Sequence, residues 1–195
     1  MARTKLQLLT QEIRACTHCE QQLPFVPNPI VRPSRKAKIL ITGQAPGTKV
    51  HETSVSWNDA SGNKLREWMG IGRDTFYDDK KIAVMPMGFC YPGKGKSGDL
   101  PPRPECAPMW HPPLLKLMPQ VELTLLIGMY AQKSYLKTNK KKNLTETVRS
   151  WESYMPRYLP MPHPSPRNKL WLKRNAWFEL EVVPVLQARI KELIF

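Results

Sequence analysis

The sequence lacks any long apolar run. No stretch of its 195 residues approaches the roughly 20 apolar residues that a membrane-spanning helix needs, so we expect no membrane partner. Polar residues follow residues 1–5 within a few positions, which is not the pattern of a secretory signal peptide. The sequence therefore predicts a cytoplasmic protein.

Acidic residues are scarce. The chain has 16 Asp and Glu against 30 Lys and Arg, a formal net charge of +14. Such an excess favours a polyanionic partner, and nucleic acid is the first candidate. A merely basic, soluble protein would show the same composition, so charge alone does not decide between the two.

Cysteine is also sparse, with four residues: Cys16, Cys19, Cys90 and Cys106. A reducing cytoplasm disfavours structural disulfides. Four thiols in that compartment are metal ligands or unrelated core residues. The first two are spaced C-x2-C, and 15 residues separate the last two.

Short apolar runs alternate with helical patterns along the chain. Buried strands are predicted at residues 38–43, 82–85, 123–128 and 157–163. Helices are predicted at residues 5–15, 61–71, 105–118, 129–136, 144–154 and 168–194. This alternation predicts a three-layer α/β/α fold with a central, mostly parallel four-stranded sheet, formed by residues 1–195 as a single domain. Ligands of such sheets bind beyond the carboxyl ends of the strands.

Proline is abundant, with 20 residues concentrated at 24–33, 86–104, 112–119 and 156–166. Because proline blocks helix interiors and central strands, these stretches are expected to be ordered loops. The same reasoning predicts that Pro112 and Pro113 break the helix at 105–118, and that Pro184 interrupts the segment at 168–194.

Two loop motifs follow predicted strands. They are Gly43-Gln44-Ala45-Pro46-Gly47 and His163-Pro164-Ser165-Pro166-Arg167-Asn168. Either alone would suit a rigid turn. Together, on one α/β chain, they resemble the two signature motifs of the uracil-DNA glycosylase superfamily. The resemblance implies an enzyme of base excision repair that flips a deaminated base, uracil first among them, out of DNA and hydrolyses its N-glycosidic bond.

The resemblance also implies roles for both motifs. Gly43, Gln44 and Ala45 would lie under the extruded base, with Gln44 positioning water. His163 would contact the base carbonyl and stabilise charge on the leaving base. Pro164, Ser165, Pro166 and Arg167 would form a wedge that enters the duplex, and Lys173 would meet phosphate. Asn168 is expected to cap the helix that follows.

The cysteine spacing resembles the iron–sulfur members of that superfamily, often called family four. This implies a structural [4Fe–4S] cluster that ties the N-terminal helix to the loop after the second strand. Four thiolates suit tetrahedral zinc equally well, and four unligated thiols are the remaining alternative.

The segment Trp57-Asn58-Asp59-Ala60-Ser61-Gly62 precedes a predicted helix. Aligned with related glycosylases, Trp57 lies near the aromatic residue that stacks on the flipped base; a core tryptophan is the alternative. Asn58 to Gly62 is similar to a Gly-Asp-x-Ser-Gly segment of family five, whose aspartate is implicated in catalysis. Asp59 is therefore a candidate to stabilise the cationic sugar or orient water, and equally a candidate helix N-cap.

Two positions depart from the family-four pattern. Gln44 stands where that family carries glutamate, and glutamine cannot accept a proton from water. No asparagine follows Cys90 at about four residues, and Asn58 or a backbone group is the candidate to read the base in its place. These departures weaken uracil as the substrate more than they weaken glycosylase as the class. No lysine is obviously placed as a Schiff-base nucleophile, so we expect a monomeric, monofunctional glycosylase that uses water attack. The alternatives are a catalytically inactive nucleic-acid or nucleobase-binding protein on the same fold, and a metal-containing α/β protein with unrelated chemistry.

Overall fold

A four-stranded parallel sheet forms the centre of the computed structural model, which describes residues 3–96 and 98–195. Its strands are β1 (Ile39–Thr42), β2 (Ile82–Val84), β3 (Leu123–Ile127) and β4 (Tyr158–Met161). Their order is β2-β1-β3-β4, and every neighbouring pair is parallel. Nearly every strand residue is buried, because helices cover both faces. The predicted strands and their parallel arrangement are confirmed.

Nine α-helices accompany the sheet in the described part of the chain. They are α1 (Lys5–Arg14), α2 (Thr48–Thr53), α3 (Ala60–Met69), α4 (Arg73–Tyr77), α5 (Cys106–Lys116), α6 (Gly128–Leu136), α7 (Leu144–Arg149), α8 (Lys169–Arg174) and α9 (Val183–Ile194). Short 3-10 turns occupy Glu20–Gln22, Lys137–Asn139, Trp151–Tyr154 and Pro166–Asn168, and Phe178–Val182 forms a π-helical turn. None of these described helices combines the length and the apolarity that crossing a membrane requires.

Two apolar clusters lie on opposite faces of the sheet. Alternate side chains of a strand point to opposite faces, so Ile39 and Ile41 pack on one side while Leu40 packs on the other. The first cluster includes Leu65 and Trp68 of α3 together with residues of α9. The second includes residues of α1 and α5, such as Ile13, Trp110 and Leu114. The molecule therefore has the predicted three layers, α/β/α.

The helix breaks predicted from proline were wrong. Helix α5 continues through Pro112 and Pro113. Pro112 is exposed and Pro113 is half-buried, so water can satisfy carbonyl groups that lose their backbone partner, while Trp110 and Leu114 pack into the core. Pro184 lies in the first turn of α9, where its missing N–H is not needed. The interruption comes earlier, at residues 175–176, before the π-helical turn.

Candidate active site

The two loop motifs meet at the carboxyl edge of the sheet. Residues 43–47 follow β1 and residues 162–168 follow β4, and a cavity of about 390 Å³ opens between them. Its lining includes Gly43, Gln44, Ala45, Thr48, Lys49, Trp57, Asp59, Asp99, His163, Ser165, Pro166 and Arg167. Gln44, Asp59 and His163, which are far apart in the sequence, thus line one cavity. Helix α2, which the sequence analysis missed, supplies part of the rim.

Trp57 forms an aromatic wall of this cavity. The ring packs against Gly43, where a Cβ would lie only 3.2 Å from Trp57 Cζ2. The ring centroid lies 5.9 Å from that of His163. Trp57 has a left-handed backbone with φ 58°, an uncommon conformation that tends to occur at functional sites, and its carbonyl accepts a hydrogen bond from Arg66 Nη1 at 3.2 Å. The indole position is therefore fixed by the surrounding backbone.

Asp59 caps α3 and lines the cavity at the same time. Its Oδ1 accepts a hydrogen bond from the Gly62 N–H at 2.8 Å, so the capping interpretation is confirmed. The side chain nevertheless borders the cavity, because the N-terminus of α3 faces it. Capping thus holds the carboxylate at a fixed position beside His163.

His163 presents a neutral imidazole to the cavity. Burial lowers its pKa, and the negative charges of Asp59 and Asp99 act in the opposite direction. Asn168 Nδ2 donates to the His163 carbonyl at 2.7 Å and fixes the start of the loop. The predicted role of Asn168 as a helix cap was wrong, because its side chain makes this bond and no capping bond. Ser165 caps the 3-10 turn Pro166–Asn168 by accepting from the Arg167 N–H.

Gln44 is held by a loop on the other side of the cavity. Its Nε2 donates to the Leu100 carbonyl at 2.8 Å and lies 3.4 Å from the Asp99 carbonyl oxygen. The backbone of the first motif is also joined to the segment after β2, where the Met87 N–H donates to the Gly43 carbonyl. The first motif and the loop after β2 are therefore connected by direct hydrogen bonds.

Asp99 is an acidic lining residue that sequence reasoning missed. A Cβ placed on Gly47 would lie 3.5 Å from Asp99 Oδ2, so this carboxylate lies over the first motif. Burial lowers the pKa of His163, and the negative charge of Asp99 partly opposes this shift. No motif marks Asp99 in the sequence. The only available signal was its place in a glycine- and lysine-rich loop after a buried strand.

The other residues that were predicted to contact DNA or the base differ in their exposure and in whether they line the cavity. Pro164 is buried, whereas Pro166, Arg167 and Lys173 are exposed. A second cavity of about 540 Å³ adjoins the first and shares with it Gln44, Ala45, Asp99, His163, Ser165 and Arg167. Asn58 lies outside the lining of the first cavity, and its Oδ1 accepts a hydrogen bond from Arg73 Nη2 at 3.1 Å.

The four cysteines surround a separate cavity. Cys16 and Cys19 lie in the turn that follows α1, Cys90 lies in the segment after β2, and Cys106 is the first residue of α5. Burial raises the pKa of Cys90 to about 11 and that of Cys106 to about 12, so these thiols are protonated when no metal is bound. Among the described residues, no three Cys, His, Asp or Glu side chains are close enough to ligate one metal ion. All four thiols nevertheless line the same cavity. Thiolate ligands suit an iron–sulfur cluster or a zinc ion.

The chain matches a known protein family. Residues 31–187 match the family described as the uracil DNA glycosylase superfamily. The matched range contains both loop motifs, Asp59 and Asp99, and it begins after Cys16 and Cys19.

Proposed function

The chain belongs to the uracil-DNA glycosylase superfamily, and we propose that it is a monofunctional DNA glycosylase that removes a deaminated base, with uracil as the first candidate. The observation that supports this proposal is the meeting of Trp57, Asp59 and His163 at one cavity beyond the carboxyl ends of β1 and β4. Each of the three offers a different interaction that cleavage of a glycosidic bond requires.

The base would bind between an aromatic wall and a hydrogen-bond donor. A flipped base stacks on Trp57, an interaction worth on the order of 1–3 kcal/mol. The neutral imidazole of His163 donates to a base carbonyl, and this bond strengthens as negative charge develops on the leaving base. Asp59 lines the same cavity, and its negative charge would stabilise the cationic sugar.

DNA would approach along the exposed side of the second motif. Pro166 and Arg167 are solvent-accessible at the cavity mouth, which suits a stiff wedge and a phosphate contact. Lys173 on α8 offers a further cation. Because extrusion costs the energy of unpairing, bases that pair weakly with their partner are favoured.

We also propose that Cys16, Cys19, Cys90 and Cys106 hold a [4Fe–4S] cluster, with zinc as the alternative. Their common cavity and the C-x2-C spacing support this. Bound there, the group would tie the end of α1 to the loop after β2 and to α5. Iron, sulfide and zinc analysis of protein purified without oxygen tests the proposal. Stoichiometric zinc without iron would support the zinc alternative. The absence of both iron and zinc would contradict both.

The activity is tested with labelled oligonucleotides that contain uracil, hypoxanthine or xanthine in single and double strands. We expect cleavage only after alkali, because the product is an abasic site. Asp59→Asn and His163→Ala should each lower the rate roughly 100-fold, while the exposed Glu52→Gln should leave it unchanged. Strand cleavage without alkali, together with trapping by borohydride, would point to a lysine nucleophile such as Lys49. If none of these substrates gives a product, the remaining interpretation is a nucleic-acid or nucleobase-binding protein with this fold.

A further inference from the structure

We propose that Asp99 is the general base that activates the attacking water, and that Gln44 holds the Asp99 loop in place. This inference rests on the glycosylase activity proposed above. It assigns the proton acceptor to the loop after β2, outside both sequence motifs.

Two carboxylates line the cavity, and they differ in their hydrogen bonds. Asp59 commits Oδ1 to the N-terminus of α3. The Asp99 carboxylate accepts no hydrogen bond from any residue that the structure describes, and it lies over Gly47 of the first motif. Both carboxylates line the same cavity as the imidazole of His163. Asp99 therefore has both oxygens available to a water molecule, whereas Asp59 has one.

The hydrogen bonds of Gln44 explain how Asp99, although it lies on a loop, can be held accurately enough to act as a general base. Its amide nitrogen donates to the Leu100 carbonyl and approaches the Asp99 carbonyl, so it anchors the backbone on which the carboxylate is carried. A glutamate at this position could not donate these bonds, and its charge would repel both carbonyl oxygens. Glutamine at position 44 and aspartate at position 99 thus work together: the first motif supplies the anchor and the loop supplies the base.

The chemical step balances without a further reactant. The water oxygen bonds to C1′ of the sugar while the bond from C1′ to the base nitrogen breaks. The electron pair of that bond leaves with the base, stabilised by the donor His163. The water proton passes to Asp99, and solvent or the departing base then takes it. Asp59 remains charged throughout and stabilises the sugar cation.

The test compares single-turnover rates and DNA affinity of Asp99→Asn, Asp99→Ala and the control Glu52→Gln. Loss of a general base should lower the rate roughly 100-fold or more. DNA affinity and melting temperature should stay close to wild type, because Asp99 is exposed. Formate should restore part of the activity of Asp99→Ala, which a purely structural role would not allow. Wild-type activity with an unaffected Asp99→Asn variant would overturn the role of Asp99 and leave the glycosylase proposal standing, whereas an inactive wild type would overturn both.

A second variant tests the anchor. If Gln44 supplies water chemistry as the family-four glutamate does, Gln44→Glu should maintain or raise the rate. We expect it to lower the rate by roughly tenfold, because the loop that carries Asp99 is released. A Gln44→Glu enzyme as fast as wild type would contradict the anchoring role.

Discussion

His111 is a buried histidine with both ring nitrogens engaged. Nε2 lies 2.9 Å from the Pro86 carbonyl oxygen and Nδ1 lies 3.0 Å from the Tyr135 hydroxyl. A neutral ring with its proton on Nε2 satisfies both groups, since it donates to the carbonyl and accepts from the hydroxyl. Burial lowers the pKa of His111 to about 4, although the hydrogen bond to Pro86 opposes the shift. The side chain therefore links α5 by hydrogen bonds to α6 and to the segment after β2. Its ring is neutral in the buried interior.

This lowered pKa makes folding stability dependent on pH. The unfolded chain binds the proton at its ordinary pKa of about 6.5. The contribution of His111 to stability is therefore complete above about pH 6.5 and is lost as the pH falls to 4, by about 3 kcal/mol. Urea unfolding at several pH values should show a steeper loss for wild type than for His111→Gln. Parallel curves for the two proteins would contradict the assignment.

At the scale of elements, the strands were the most predictable part. Each is a short apolar run buried on both faces, and such runs have few other stable arrangements. Helix α5 was less predictable, because the packing of Trp110 and Leu114 outweighs the local effect of two prolines. The short helices α2 and α4 carry too little periodicity to be recognised.

The candidate site was predictable where it depends on strand ends. Parallel strands bring their carboxyl ends to one edge, so the motif at Gln44 and the motif at His163 were expected at the same edge, and only β3 separates the strands that they follow. Asp99 was not predictable, because a hydrogen bond across 56 residues, from Gln44 to Leu100, determines where its loop lies. The surroundings of Asn58 were not predictable for a similar reason, since Arg73 of α4 donates a hydrogen bond to its side chain.

The crossing of the Trp57 loop over α3 depends on Gly62. A Cβ at this position would lie 1.8 Å from the Trp57 carbonyl oxygen. Alanine favours a helix by about 1 kcal/mol over glycine, but this clash forces the loop away. We expect Gly62→Ala to destabilise the protein by about 1–3 kcal/mol and to slow turnover through displacement of Trp57. Thermal unfolding, tryptophan fluorescence and single-turnover rates measure these effects.

Gly72→Ala is the matched control for this prediction. A Cβ on Gly72 would meet no atom of the described residues within 4 Å, and its backbone φ of −76° suits alanine. Apart from the loss of a glycine N-cap, Gly72→Ala should therefore lower the free energy of unfolding by at most a few tenths of a kcal/mol. If Gly62→Ala were as stable as Gly72→Ala, the close approach of the loop to α3 would not be the constraint inferred here.

At the scale of the whole molecule, the net charge is +14. How much it contributes to DNA binding depends on where the cations lie. Arg167, Lys169, Lys173 and Arg174 are exposed on one continuous segment directly after the cavity. Cations that touch phosphate release counterions on binding, and each contact adds about 0.9 to the slope of log affinity against log salt. Cations elsewhere only attract DNA at long range.

Two double variants with the same charge change separate these contributions. Lys169→Ala with Lys173→Ala removes cations beside the wedge, whereas Lys36→Ala with Lys80→Ala removes exposed cations before β1 and β2, at the opposite edge of the sheet. We expect the first pair to reduce the salt slope by about 1.8 and the second to leave it almost unchanged. Fluorescence anisotropy with an oligonucleotide that contains an abasic site, measured across a salt series, gives both slopes. Equal reductions would mean that net charge alone attracts DNA, and that the segment after the second motif does not form the interface.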